Sequence, residues 1–150
     1  MRSLQKLIET ELKARKFGFN WFNFQMIIDQ AIDECREIQE VVDLKESTER
    51  LQEEIGDLLH TAVSMCVFAN YDVEKTVDRT HNKFKNRIEL VEHFARQRGY
   101  ESLKDQPTEL LLELWHNAKA AEGSTNFDDI ITLRSMTDND VDLVVESFAN

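Results

Sequence analysis

Two short acidic clusters hold the residues of this sequence whose types and spacing best suit chemistry. Glu34 and Glu37 lie in the first cluster, and Glu54 and Asp57 lie in the second. Within each pair the carboxylates are three residues apart, which places both on neighbouring turns of one helix face. Carboxylate oxygens are the ligands that hard divalent cations prefer. We call these four residues the acid quartet and predict that they hold a metal ion.

The helices that must carry the acid quartet are predicted from apolar stripes of helical period over residues 24–42 and 51–69. Glu34 and Glu54 fall just inside the edges of these stripes, and Glu37 and Asp57 lie beside them. A carboxylate in apolar surroundings must take up a proton or find a cation, and these helices carry no matching row of Lys or Arg. The alternative is a solvated acidic face with ion pairs inside each helix. The stripes are Phe24, Ile27, Ile28, Ala31, Ile32, Cys35, Ile38, Val41 and Val42, followed by Leu51, Ile55, Leu58, Leu59, Ala62, Met65, Cys66, Phe68 and Ala69.

The ends of these two helices are also predicted. Asn23 is a suitable N-cap for the first helix, and Ser47 or Thr48 for the second. The polar segment between the helices is short, which makes them antiparallel neighbours. Before them, a short amphipathic helix covers residues 3–15, and the aromatic segment 17–24 follows it. We expect its rings to turn inward and pack in the core, with a base-sized pocket lined by one of them as the alternative.

Two further helices carry cations and a tryptophan. Asp72 is expected to cap a helix that Gly99 ends, and Lys83 and Arg87 lie four residues apart at the border of its stripe. Two cations in register suit a polyphosphate whose charge a metal ion has partly covered, although a pair bound to surface acids is equally compatible. Pro107, at or near the first helical position, opens the next helix, which carries Trp115 and runs to about residue 121.

Composition predicts an all-α bundle. Among 150 residues there are only four Gly and one Pro, so few residues interrupt helices. The net charge of −11 disfavours nucleic acid and anionic membranes as partners. Cys35 and Cys66 are interpreted as reduced core residues, and the four His residues as surface or boundary residues without shared metal-ligand spacing. Because the N-terminus has no apolar signal region and no membrane-length apolar run occurs, a cytoplasmic protein is expected.

Four ordered segments of the chain resemble the MazG family of nucleoside triphosphate pyrophosphohydrolases, over roughly residues 17–122. The acidic clusters are similar to its EExxE…ExxD signature. Two departures occur: Asp33 replaces the first Glu of the signature, and His81 stands where the family has Asn, with Asn82 shifted by one. The segments are Gly18-Phe19-Asn20-Trp21, the two acidic clusters, Asn82-Lys83-Phe84-Lys85-Asn86-Arg87, and the stretch from Ser102-Leu103-Lys104-Asp105 to Leu114-Trp115-His116-Asn117-Ala118-Lys119.

The resemblance implies an all-α antiparallel helical bundle of the MazG type over residues 1–122, completed by oligomerisation as a homodimer or homotetramer. It implies Mg²⁺-dependent hydrolysis of nucleoside triphosphates to the monophosphate and pyrophosphate. The substrates would be standard or aberrant nucleotides, including deoxynucleotides, and the role would be to clean the nucleotide pool. The acid quartet would supply the catalytic residues and the Mg²⁺ ligands, with Mn²⁺ as a substitute. Lys83 and Arg87 would contact the phosphates, and Trp115 and Lys119 the nucleobase.

Other functions stay open at this stage. One is a superfamily relative's activity, such as that of a dUTP/dCTP hydrolase or a phosphoribosyl-ATP pyrophosphohydrolase. Another is a non-catalytic helical module that binds a protein partner through its acidic face. A di-iron carboxylate bundle would need Glu-x-x-His pairs, which the acidic clusters lack.

The acidic tail, residues 123–150, falls outside the MazG resemblance. Residues 127–134 are compatible with a short strand, and residues 137–148 with a helix. Residues 131–141 resemble the opening strand and helix of a GNAT acetyltransferase, but too little chain follows to complete that fold. We interpret the tail as a remnant of a second domain and assign it no activity.

Overall fold

The computed structural model describes residues 2–123, and helices make up all the regular secondary structure of this part, which confirms the all-α prediction. No helix within these residues combines the length and apolarity that a membrane span requires. The strand and helix predicted for the tail lie outside the described residues. The helices are α1 (Arg2–Phe17), α2 (Phe24–Asp43), α3 (Thr48–Phe68), α4 (Val73–Gln97) and α5 (Thr108–Glu122).

Side chains cap three of the helices where the sequence predicts it. The Asn23 side chain accepts a hydrogen bond from the Met26 N–H at the start of α2. Ser47, rather than Thr48, accepts from the Arg50 N–H and caps α3. At α4, Asp72 accepts from the N–H of the third helical residue. At α5, Pro107 is the N-cap residue and Thr108 begins the helix, so Pro107 lies next to the first helical position, within the predicted range.

The chain divides into two compact units, Met1–Asp78 and Arg79–Asn150. In the first unit, α2 and α3 pack against each other, and α1 packs on α3. A four-residue turn joins α2 to α3 and makes them antiparallel, with Lys45 in a left-handed conformation (φ 51°). The rings of Phe24 and Phe68 meet edge to face at 5.8 Å, where the start of α2 passes the end of α3.

Only part of each predicted apolar stripe is buried. Ile27 and Val41 of α2 are buried, whereas other members of the stripe are more than a third exposed. On α3 the buried face is shifted toward Glu54, Thr61 and Ser64, and the stripe residues Ile55 and Leu59 are exposed. The predicted width of the core-facing arc was therefore wrong, because one neighbouring helix covers only a sector of a helix surface. The exposed α2 members are Phe24, Ile28, Ile32 and Val42.

Two other sequence predictions about burial fail in the first unit. Phe17, Phe19 and Phe22 are 77 to 92% exposed, so these three rings of the aromatic segment do not turn inward. Phe17 ends α1, and the other two lie in the short surface connection that Gly18 opens with φ +105°. Cys35 is exposed rather than in the core, on the uncovered side of α2. Cys66 is half-buried, and both cysteines are reduced as expected.

The second unit has its own apolar core, formed by the C-terminal half of α4 and by α5. Leu114 and Ala118 of α5 are fully buried against it. Gly99 ends α4 in a left-handed conformation (φ +87°), and the next N–H, that of Tyr100, donates to the Ala95 carbonyl. The α4 part of the core comprises Leu90, Val91, Phe94 and Ala95.

Candidate functional site

The α2–α3 pair brings the acid quartet together. Glu34 and Glu37 come from α2, and Glu54 and Asp57 come from α3; one carboxylate oxygen from each lies within 4.8 Å of the other three. The antiparallel packing explains this arrangement, because the two acid pairs lie at similar distances from the turn that joins the helices. The proximity predicted from two separate i, i+3 pairs is therefore observed.

The quartet has a buried half and an exposed half. Glu34 is 7% exposed and Glu54 is 2% exposed, whereas Glu37 and Asp57 are exposed. Each buried carboxylate has one oxygen, Oε2, that accepts no hydrogen bond. A buried carboxylate oxygen without a donor is costly, and two of them occur in one four-acid cluster. Such a site fits a hard divalent cation, because four oxygen ligands leave further coordination positions open for water and substrate.

The other oxygen of each buried acid has a partner four residues earlier in the same helix. The Gln30 side-chain amide donates to Glu34 Oε1 at 2.7 Å. The Arg50 guanidinium contacts Glu54 Oε1 at 2.9 Å and is half-exposed. Neither residue was predicted as part of the site. The i, i+4 spacing from each acid was the signal that could have revealed them.

The clustered acids change the proton affinity of Glu37. The close Glu54 carboxylate, with which Glu37 can share a proton, and the negative charges of Glu54 and Glu34 raise the pKa of Glu37 from 4.5 to about 7. Like charges that share one site favour the protonated form of one member. A divalent cation would remove this repulsion. Asp33, which replaces the first Glu of the EExxE signature, is exposed and pairs with Arg36 at 3.2 Å.

Of the predicted phosphate-binding residues, which both lie in the second unit, Lys83 is exposed and Arg87 is half-buried. The Arg87 Nε donates to the Glu122 carboxylate, and these side chains are 21% and 18% exposed. A carboxylate partner for this cation was the alternative that the sequence left open. This carboxylate, Glu122, is the last residue of α5.

The predicted nucleobase residues lie on α5, with Lys119 exposed and Trp115 half-buried. The Arg87 guanidinium carbon is 5.5 Å from the centroid of the Trp115 ring, a cation–π distance. Phe84 packs at a tilt on the same tryptophan, with the ring centroids 6.2 Å apart. The structure thus brings one predicted phosphate contact beside one predicted base contact.

A second feature of the first unit was missed by the sequence reasoning. Glu11 of α1 is buried and accepts hydrogen bonds from Ser64 at 2.7 Å, from His60 and from Arg15. These side chains line one end of a largely apolar cavity of about 450 Å³, together with Trp21. The Trp21 Nε1 has no hydrogen-bond partner. Phe19 and Trp21 of the aromatic segment thus line a cavity, whereas the alternative stated from the sequence was one ring lining a base-sized pocket.

Comparison with protein families matches residues 22–92 to the MazG nucleotide pyrophosphohydrolase domain. This span contains the whole acid quartet and also Lys83 and Arg87. Trp115 and Lys119 lie beyond its end. No solved structure matches the chain.

Relatives among known proteins agree with the family match. Over 109 residues, 73% of this chain, it is 31% identical to the nucleoside triphosphate pyrophosphohydrolase/pyrophosphatase MazG of Thermotoga maritima, of which it covers 41%. Over 125 residues, 80% of this chain, it is 26% identical to the nucleoside triphosphate pyrophosphohydrolase of Escherichia coli, of which it covers 46%. A 72-residue stretch, 48% of this chain, is 33% identical to the uncharacterized protein YabN of Bacillus subtilis, of which it covers 14%.

The chain thus spans less than half the length of each of these relatives. Three observations point the same way: the ordered motifs of the sequence, the helical fold that joins the acid quartet, and the match over residues 22–92. Through this domain, the chain belongs to the MazG family.

Proposed function

We propose that this protein hydrolyses nucleoside triphosphates to the monophosphate and pyrophosphate at the acid quartet, with Mg²⁺ as the cofactor. The observation that carries the proposal is the pair of buried carboxylate oxygens without donors, clustered with two exposed carboxylates. The relatives named nucleoside triphosphate pyrophosphohydrolases support the reaction class. Mn²⁺, which takes the same oxygen ligands, is a substitute.

The charge of the protein explains why the reaction needs a cation. A triphosphate is strongly anionic, and so is this chain, with a net charge of −11. When bound, a divalent ion supplies neutralisation of phosphate charge and acidifies the attacking water. The buried Glu34 and Glu54 and the exposed Glu37 and Asp57 would be the residues that hold such an ion. Glu37, an exposed carboxylate of the quartet, is also our candidate for the acceptor of the proton of the attacking water.

The resemblance assigns the remaining contacts of the substrate to two residues of α4 and two of α5. Lys83 and Arg87 bind the phosphates, and Arg87 exchanges its Glu122 partner for a phosphate oxygen when it does so. Trp115 offers a ring face to the nucleobase, and Lys119 offers a cation one turn away. The resemblance to family motifs supports these four assignments.

A second copy of the chain covers the exposed apolar face of α2 and α3. Phe24, Ile28 and Ile32 recur every four residues on α2, and Ile55 and Leu59 do so on α3, and all are 36 to 65% exposed. Such a stripe on helices that carry the candidate site favours an oligomer interface over solvent. We infer a homodimer, or a homotetramer built from such dimers.

The substrate's base and sugar are the open part of the proposal. Standard, aberrant and deoxynucleotides all fit a role in cleaning the nucleotide pool. The alternative is the substrate of a superfamily relative, such as dUTP, dCTP or phosphoribosyl-ATP. We place the protein in the cytoplasm, and its net charge of −11 disfavours nucleic acid and anionic membranes as partners. The competing function is a non-catalytic module that binds a protein partner through its acidic face.

The test is a panel of nucleotides incubated with Mg²⁺, with Mn²⁺ and with EDTA, with detection of pyrophosphate and of the nucleotide product. We expect pyrophosphate and monophosphate from at least one triphosphate, and none in EDTA. Release of orthophosphate and a diphosphate would contradict the proposed bond cleavage. Absence of any metal-dependent product across the panel would favour the non-catalytic module.

A further inference from the structure

Gln30 and Arg50 occupy equivalent positions around the acid quartet. Each lies four residues before a buried acid of its own helix, and each contacts the Oε1 atom of that acid: Gln30 that of Glu34 at 2.7 Å, and Arg50 that of Glu54 at 2.9 Å. In both carboxylates the second oxygen, Oε2, is buried and accepts no hydrogen bond. The device is the same on both sides of the site: one oxygen is held and the other is left open.

Local helix energetics do not account for Arg50. It stands in the first turn of α3, where the helix dipole disfavours a cation. Its pair with Glu54 has the basic residue N-terminal to the acid, which is the weaker order for an i, i+4 pair. Arg50 also lies within 4.0 Å of the exposed Glu46 and Glu53 carboxylates, yet its closest contact is with the buried one.

Gln30 also differs from its counterparts on the same helix. Two other glutamines of α2 make i, i+4 hydrogen bonds with acids, Gln25 with Asp29 at 2.9 Å and Gln39 with Asp43 at 2.8 Å. Both of those pairs are exposed, whereas the Gln30 pair is partly buried and ends on a quartet carboxylate. A carboxylate with one oxygen fixed in this way has lost rotational freedom before any ion arrives.

We propose that Gln30 and Arg50 are positioning residues of the metal site, each holding one buried carboxylate so that its open oxygen serves the ion. The inference rests on the proposed metal site. It adds to that proposal a reason why two carboxylates remain buried with one oxygen unpartnered. Removing either partner lets the carboxylate rotate and spreads its open oxygen over several orientations, so affinity for the ion falls.

The experiment measures Mn²⁺ binding to the full chain by electron paramagnetic resonance, without nucleotide. We expect Gln30→Leu and Arg50→Met each to weaken Mn²⁺ binding by on the order of tenfold or more. The matched controls Gln39→Leu and Arg96→Met, which break exposed pairs elsewhere, should bind as the wild type does. Arg50→Lys keeps a charged donor and should restore most of the affinity.

Thermal unfolding of the metal-free variants separates positioning from a structural role, which would lower the melting temperature without changing Mn²⁺ affinity. Wild-type affinity in Gln30→Leu and Arg50→Met overturns the inference, and so does tighter binding by Arg50→Met, since Arg50 would then only repel the ion. If the wild-type chain itself binds no Mn²⁺, the proposed metal site fails, and this inference fails with it.

Discussion

The carboxylates of Glu37 on α2 and Glu54 on α3 lie within 4.8 Å of each other, and this proximity, through which the two acids can share a proton, is the largest cause of the raised pKa of Glu37. A carboxyl whose pKa is about 7 in the folded protein and 4.5 when unfolded stabilises the fold at low pH. That contribution is fully present below 4.5 and is lost as the pH rises through about 7. The metal-free protein should therefore lose stability as Glu37 loses its proton.

In EDTA, the melting temperature of the wild type should fall, relative to that of Glu37→Gln, between about pH 5 and about pH 8. The variant has no proton to lose at this position, so the comparison removes the effect of all other groups. Saturating Mg²⁺ should abolish the difference, because the ion replaces the shared proton. Parallel pH profiles of the two proteins in EDTA would show that the acids do not share a proton.

Glu54→Gln should lower turnover by at least on the order of 100-fold and leave the helical content unchanged. The substitution removes one ligand charge at nearly constant shape from the most buried acid of the quartet. Glu49→Gln, in the exposed first turn of α3, is the matched control and should keep wild-type activity. Circular dichroism and pyrophosphate release measure the two effects. Mg²⁺-dependent activity of Glu54→Gln within a few fold of the wild type would refute the assignment of the quartet.

Leu59→Lys should dissociate the oligomer while changing the stability of the protomer by about 0.5 kcal/mol or less, because the side chain is 65% exposed. Light scattering during size-exclusion chromatography gives the mass. Leu112→Lys on α5, where the side chain is 52% exposed, is the control for a charge at an exposed leucine. A wild type that is monomeric, or an unchanged mass in Leu59→Lys, would argue against the α2–α3 interface.

Arg87→Ala should weaken triphosphate binding by about tenfold or more, because a charged hydrogen bond to phosphate is lost. Glu122→Gln breaks the same ion pair but leaves the cation in place, so it should bind triphosphate at least as well as the wild type. Calorimetric titration with Ca²⁺ present gives the affinities, and urea unfolding gives the stabilities. If both variants lose the same stability and keep wild-type affinity for triphosphate, the Arg87–Glu122 ion pair has only a structural role.

Trp115, rather than Trp21, should report on the nucleobase by fluorescence. With Ca²⁺ used to support binding without rapid turnover, nucleotide should change the emission of Trp21→Phe and leave that of Trp115→Phe nearly unchanged. Inorganic triphosphate is the necessary control, because displacement of Arg87 from the Trp115 ring would alter emission without a base. A response that follows Trp21 would place the base in the cavity beside Glu11 instead.

The features that could be predicted from the sequence are those that local interactions determine. The caps Asn23, Ser47 and Asp72 each bond an N–H three residues ahead, so residue type and position suffice. The acid quartet was predictable for a related reason. Two i, i+3 pairs on helices joined by a four-residue turn have few ways to pack other than face to face.

The failures concern contacts between segments that are distant in sequence. Glu11 bonds His60 and Ser64, which are 49 and 53 residues away, and no local pattern pairs them. The prediction that Cys35 is buried was wrong, because an amphipathic stripe indicates which face of a helix is apolar but not how much of that face a neighbouring helix covers. Counting apolar positions therefore overestimated the core of the first unit.

The four-residue turn between α2 and α3 has a consequence for folding. All four acids lie within residues 34–57, so the metal site has a low contact order and needs only a short loop to close. Because closing this short loop costs less entropy than forming the more distant Glu11 contacts, we expect the mutually repelling carboxylates to be gathered first. An ion present during refolding should accelerate the step that assembles this helical hairpin.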